Sequence, residues 1–295
     1  MNIVFDNVNF NSNSGPNSFA NKLKKYLTIA GHSVNKTGSP EAFLCFIESS
    51  RVNYDRPMFQ RLDGIYFNSD FDYNKQNQNI KRTYELADGV IFQSEFNMNL
   101  TNKFFGKHRN STIIHNGADT MAIKSIKPLP LDKYEKLYVC ASSWRPHKRL
   151  GENIRYFLEH SGVNDGLIIA GNVPQPEKIN DSKIHYVGNR NQSELLSLYK
   201  RADFFIHLAW IDHCPNVVVD ARACGCKIIC SSTGGTKEIA GMDAIIIKEK
   251  AWDLKPVKLY DPPLLDFSKK EKNNFNTEVS MKKVAEKYIN FIKNN

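Results

Sequence analysis

From its amino end the chain alternates short apolar runs with segments whose apolar residues recur every three or four positions. NIVFDN opens as a strand. In NSFANKLKKYLTIAG, Phe19, Leu23, Tyr26, Leu27 and Ala30 share one helical face, which Gly31 ends. EAFLCFIES and GIYFNS have the length and apolar content of strands. KRTYELAD predicts a helix, GVIFQSE a strand, FNMNLTNKFFG a short helix stopped at Gly106, and STIIHNG another strand. IKSIKPLPLDKYEK breaks the rhythm with two prolines and reads as a linker.

After the linker the alternation restarts: KLYVCASS strand, LGENIRYFLEHSG helix, GLIIAG and KIHYVG strands, QSELLSLYKRA helix, DFFIHLA strand, PNVVVDARACG helix, KIICSS strand. GLIIAG and KIICSS are apolar without interruption, as strands covered on both faces are. Residues 249–276 are irregular. A last helix, from about Glu278 to Lys293, places Val279, Val284, Tyr288, Ile289 and Ile292 on one face. This succession predicts an α/β chain of two Rossmann-like, doubly wound domains with a ligand cleft between them. The expected division is a first domain at 1–125, a linker at 126–135, a second domain at 136–276 and a closing helix at 277–295.

Composition narrows the picture. The 295 residues hold 40 Lys and Arg against 31 Asp and Glu, a net charge of +9. Residues 1–125 carry +3 of it and the rest +6, so no tail or stripe collects the charge as a nucleic-acid binder would. No run approaches the roughly 18 apolar residues of a membrane span, and the opening lacks a signal peptide's basic start. The expectation is a cytoplasmic protein whose contact with the membrane, if any, is peripheral. The six cysteines lack a second paired knuckle for zinc and read as reduced, buried residues.

The stretch HLAWIDHCPNVVVDARACGCKIICSSTGGTKEI carries the chemistry. Seven residues separate Asp212 from Asp220, and Pro215 between them favours a helix start. Asp212 then lies in the loop after a strand and Asp220 about 7–8 Å along the helix. Free backbone N–H groups near Cys214 to Asn216 point between them, which suits an anion. Hydroxyls at both ends and phosphates in the middle describe a nucleoside-diphosphate sugar.

That stretch resembles the signature of family 4 retaining glycosyltransferases of the GT-B fold. SSWRPHKRL, HYVGNRNQSELLSLYKRAD, NGAD at 116–119 and ELADGVIFQSE resemble further segments of the family, so the likeness runs from about Glu85 to Ile247. Before Glu85 it thins to a strand, Gly15, a helix and RLDG at 61–64, which implies a shortened N-terminal domain. The resemblance implies that Asp220 binds the ribose hydroxyls and Asp212 the donor sugar. The backbone of His213, Cys214, Pro215, Asn216 and Val217 would cradle phosphate and sugar. Lys148, with Arg145 or Arg149, would neutralise the leaving diphosphate. Val187 and Gly188 would border the base with Glu194 nearby, and Gly234 and Gly235 would allow close backbone approach.

The resemblance also implies an acceptor (glycan or lipid-linked) on the first domain, where Gly15 and Asp63 are the acceptor-side candidates. It implies no metal and no cofactor beyond the nucleotide-sugar substrate; Asp70-Phe71-Asp72 has the spacing of a metal motif but lies outside the donor half. The chain departs from the family at three points. Aspartate replaces glutamate at both acidic positions. Ser143 stands where the family has arginine, with Arg145 as the substitute. The family's N-terminal histidine has no counterpart, Asp63 being nearest. His147, His207, Trp144 and Trp210 read as structural. The alternatives are a catalytically inactive GT-B scaffold that binds a nucleotide sugar or a partner glycosyltransferase, a transferase acting on nucleic acid, and a sugar-nucleotide epimerase.

Overall fold

A computed structural model describes residues 1–12 and 14–295. The first part of the chain forms β1 (Asn2–Asp6), α1 (Gly15–Ile29), β2 (Ser33–Val34), β3 (Ala42–Phe46), β4 (Met58–Leu62), α2 (Tyr73–Leu86), β5 (Gly89–Phe92), α3 (Glu95–Phe105), β6 (Ser111–Ile113) and α4 (Thr120–Ser125). Its six strands lie in the order β2-β1-β3-β4-β5-β6, every pair parallel.

The second part forms β7 (Leu137–Ala141), a 3₁₀ turn at Pro146–Lys148, α5 (Leu150–His160), β8 (Gly166–Ala170), β9 (Ile184–Gly188), α6 (Gln192–Arg201), β10 (Phe204–His207), α7 (Asn216–Ala223), β11 (Lys227–Ser231), α8 (Thr236–Ile239), β12 (Ile245–Ile247), β13 (Lys270–Glu271) and α9 (Met281–Lys293). Its seven-stranded sheet has the order β13-β12-β11-β10-β7-β8-β9, and only β13 runs antiparallel.

Both faces of each sheet are covered. In the first sheet, Ile3, Phe5, Leu44 and Phe59 pack under α1 on one side, while Phe43, Cys45, Val90 and Phe92 pack on the other. In the second, Val139, Phe205 and Ile228 point to one layer and Cys140, Ile206 and Ile229 to the opposite one. This alternation explains the unbroken apolar strands, since successive side chains enter different cores. The chain then returns: Met281, Val284, Tyr288, Ile289 and Ile292 of α9 are buried in the layer that holds α1.

Four sequence expectations change. GIYFNS is not a strand. Gly64 sits at φ +150, and Asn68 bridges in parallel to Val257, a residue of the second half, so the segment ties the halves together instead of joining the first sheet. The strand in that place is β4, MFQRL, whose buried Gln60 and Arg61 conceal it from a search for apolar runs. α2 begins at Tyr73, well before KRTYELAD, because the Asp72 carboxylate accepts the Lys75 N–H at 2.9 Å and starts a largely polar helix. Pro215 is the residue before α7, not its first helical residue.

Candidate active site

Ligands of doubly wound sheets bind outside the carboxyl ends of the strands where the winding reverses. In the second sheet that point lies between β7 and β10. A cleft of about 420 Å³ opens there, lined by Ser142, Lys148, His207, Asn216 and Asp220, with Gly15 and Ser18 of α1 on the opposite wall. Both domains therefore build it.

Asp212 is anchored from several sides. Its Oδ2 accepts Lys148 Nζ at 2.5 Å and His207 Nε2 at 2.9 Å, and its Oδ1 accepts the His213 N–H at 3.0 Å. Burial pushes its carboxyl up, but the Lys148 charge and the His207 hydrogen bond outweigh that and hold it well below the usual carboxylate range. Burial lowers His207, Asp212 opposing, so the ring is neutral near pH 7 and its Nε2 carries the proton it donates. The preceding Ile211 has φ +55, a left-handed conformation costly for a β-branched residue. The loop is held there by Gly235, whose N–H donates to the Asp212 carbonyl at 2.8 Å. Side chains at 234 or 235 would collide with this loop: a Cβ on Gly234 would meet Asp212 O at 2.6 Å, and one on Gly235 His213 O at 2.0 Å.

At the start of α7 the N–H groups of Asn216 and Val217 have no partner within the helix, as the first turn requires. Asn216 Nδ2 donates to the Gly15 carbonyl at 3.0 Å, which fixes α1 against α7. Four residues on, Asp220 lines the same cleft, about 6 Å along the axis. Its Oδ1 accepts Lys22 Nζ from α1 at 3.3 Å. Burial raises the Asp220 carboxyl above its ordinary value, and Lys22 opposes the rise.

The cleft thus gathers Lys148, Asp220, Pro215, Asn216, Val217 and Gly15. Cys214 is buried beneath, its carbonyl accepting Asn116 Nδ2 of the NGAD segment at 2.8 Å. His213 does not line the cleft, and its N–H is donated to Asp212. Its ring packs against Phe96 and Phe67, directly over Gly64, and burial lowers it to about 4.

Other expected residues go elsewhere. Arg149, at φ +52, is directed away from the cleft: its guanidinium, 1% exposed, pairs with Glu249 at 2.6 Å and with the Pro263 carbonyl at 2.8 Å. Arg145 is exposed and makes no ion pair or side-chain hydrogen bond among the described residues. Val187 and Glu194 line a separate cavity of about 640 Å³ beside the linker, which meets the cleft at Arg190. The Glu194 carboxylate closes the first turn of α6, accepting the Asn191 N–H at 2.9 Å. Gly188, at φ +68, gives its carbonyl to the Gly171 N–H at 2.8 Å. Asp63 pairs with the buried Arg61 beneath the junction.

Three residues at or beside the cleft were read otherwise or passed over in the sequence. His207, read as structural, lines the cleft and closes an apolar strand at the winding reversal, which is itself a signal. Lys22 lies three residues after Phe19 on the apolar face of α1, an unusual place for lysine. Arg190 follows the β9 turn.

Two parallel, doubly wound domains whose shared cleft lies at the strand ends, with the last helix returned to the first domain, define the GT-B fold. Residues 122–254 match the model of the family described as Glycosyl transferases group 1. No curated protein matches the sequence. Among solved structures, HepE of Anabaena in complex with UDP is similar over 100% of both chains, with TM-score 0.69 at 12% identity. Sucrose-phosphate synthase of Thermosynechococcus elongatus gives TM-score 0.66 at 14% identity over 84% of this chain and 86% of its own. WaaG, a glycosyltransferase involved in lipopolysaccharide biosynthesis, gives TM-score 0.61 at 11% identity over 100% and 94%.

Proposed function

We propose that the protein is a glycosyltransferase that moves a sugar from a nucleoside-diphosphate sugar to an acceptor with retention of configuration. The carrying observation is one cleft lined by Lys148, which pairs with Asp212, by Asp220 and by the first residues of α7 with their free N–H groups. The match over 122–254 and the HepE complexes with UDP and with UDP-glucose support the same reading. Asp220 takes the ribose hydroxyls, Asp212 the sugar hydroxyls, and the α7 amino end the diphosphate.

In this reading the acceptor hydroxyl attacks the anomeric carbon on the face from which the diphosphate leaves. The new carbon–oxygen bond forms as the sugar–phosphate bond breaks, and the acceptor's proton passes to the departing phosphate oxygen. The Lys148 ammonium and the α7 N–H groups stabilise the charge that develops. In this reading Lys148 and the α7 N–H groups do the work that a divalent metal would otherwise do. The acceptor is a glycan or lipid-linked saccharide presented on the first domain, at the cytoplasmic side of a membrane or in the cytoplasm.

The test is a thermal-shift and calorimetric panel of UDP-, GDP-, dTDP- and ADP-sugars, followed by NMR of the anomeric configuration of any product. Absence of binding and of donor hydrolysis across the panel overturns the proposal. A second reading, a nucleotide-sugar-binding scaffold without turnover, is favoured by one observation. Both oxygens of Asp212 are already engaged by Lys148, His207 and its own loop. Tight binding without hydrolysis or transfer decides for that reading.

A further inference from the structure

The ion pair between Lys22 and Asp220 joins the two domains at the wall of the cleft, which Asp220 lines. Lys22 is 4% exposed and the Asp220 side chain 14%. Lys22 reaches Oδ1; Oδ2 accepts no hydrogen bond among the described residues, although the residue lines the cleft. A buried lysine seldom lacks a reason, because removing its charge from water is expensive unless a partner compensates.

We propose that Lys22 is a positioning residue for the nucleoside end of the donor. It fixes the Asp220 carboxylate across the cleft and leaves Oδ2 to accept from a ribose hydroxyl, so that nucleotide recognition requires both domains. The inference rests on the reading of Asp220 as the ribose ligand.

The surroundings make the contribution of Lys22 measurable. Asp220 is faced by Lys22 from α1, Asp119 from the amino end of α4, Tyr199 from α6 and Cys224 at the end of its own helix. Of these only Lys22 carries positive charge. Asp119 acts with burial to favour the protonated carboxyl. The Tyr199 hydroxyl, in a side chain 1% exposed, has no partner among the described residues and neutralises nothing. Asp119 is itself occupied, accepting Lys25 Nζ at 2.5 Å and Tyr26 OH at 2.8 Å. Along α1, Lys25 and Tyr26 thereby hold Asp119 within the first domain, while Lys22 reaches across to Asp220 in the second.

The experiment is calorimetric titration of the full chain with UDP, GDP and ADP between pH 5.5 and 8. Wild type is compared with Lys22→Met, Lys22→Arg, Asp220→Ala and, as a control for charge on the same helix, Lys24→Met. Lys22→Met is expected to bind the preferred nucleotide on the order of tenfold more weakly, the loss of one charge-assisted hydrogen bond. Its affinity should fall with acidification at a higher pH than that of wild type. Lys22→Arg should recover most of the affinity, and Lys24→Met should match wild type.

If Lys22→Met does not fold, Lys22→Gln provides the same comparison with a neutral donor. Wild-type affinity in Lys22→Met or Lys22→Gln at every pH, together with loss in Asp220→Ala, overturns the role of Lys22 and leaves the nucleotide reading standing. Unchanged affinity in Asp220→Ala, or no binding of any of the three nucleotides to wild type, overturns both.

Discussion

Glu238 of α8 accepts the backbone N–H of Glu95, the first residue of α3, at 2.7 Å across the domain boundary. Its other oxygen accepts the Phe96 N–H at 2.8 Å, and His115 Nε2 reaches the first oxygen at 2.8 Å. A carboxylate 3% exposed thus supplies partners for a helix start that belongs to the opposite domain. Glu238→Ala leaves two N–H groups unpaired and should destabilise the protein by roughly 1–3 kcal/mol. Urea unfolding reads the stability, and faster limited proteolysis near the junction reads the loosening. An unchanged unfolding midpoint contradicts the capping role.

The Lys148–Asp212–His207 cluster has a defined pH signature. Asp212 is held below its ordinary range, so its stabilising contribution is complete above the unfolded value of about 3.9. That contribution disappears only as acidification passes through the lower folded value. The stability gap between wild type and Asp212→Asn should therefore stay level from pH 5 to 8 and narrow below about pH 4. Under the proposed function, Lys148→Ala should lower donor hydrolysis on the order of 100-fold, the scale for losing one transition-state cation or donor. Denaturant unfolding at several pH values checks the first expectation, and initial rates at saturating donor the second.

What the sequence displayed and what it hid follow from the range of the interactions. β8, β10 and β11 were legible because both faces are covered and their residues are continuously apolar. The Asp212–Asp220 spacing was legible because one loop and one helix contain it. β4 was obscured because Gln60 is buried with its amide donating to the carbonyls of Ile47 at 2.6 Å and Ile80 at 3.2 Å, partners on other elements. The partner of Asp220, Lys22, is 198 positions away, and no local pattern pairs them. Lys148 and Arg149 are neighbours with opposite fates. The positive φ at Arg149 directs its side chain to Glu249, and a run of two basic residues does not announce that turn.

Arg61 presents a different sort of test. Its side chain is 1% exposed, lies with its guanidinium carbon 3.9 Å from the centre of the Phe19 ring, and donates to Asn116 Oδ1 at 2.7 Å while pairing with Asp63. Removing one partner of such a pair strands the other charge in the interior. Asp63→Ala should destabilise by about 3–5 kcal/mol. The double variant Arg61→Met/Asp63→Ala should lose less than the sum of Arg61→Met and Asp63→Ala, since no charge is left unmatched. Equal losses in the double variant and in the sum would show that the pair is not coupled. Equilibrium denaturation of the four proteins measures the cycle.

Two glycines separate loop geometry from helix propensity. Gly235 lies where a Cβ would come within 2.0 Å of the His213 carbonyl and 2.7 Å of Ser94 Oγ, while Gly151 in the first turn of α5 has nothing within 4 Å. Gly151→Ala should stabilise by roughly 0.5–1 kcal/mol, because alanine loses less backbone freedom in a helix. Gly235→Ala must push back the loop carrying Asp212 and His213. It should destabilise by about 1–3 kcal/mol, as inserting atoms into packed surroundings does. It should also weaken donor binding, since a displacement near 1 Å at a positioned group can reduce function on the order of 100-fold. Thermal unfolding and nucleotide-sugar titration of the two variants give both readings. A Gly235→Ala protein with wild-type affinity would show that the Asp212 loop does not hold the donor.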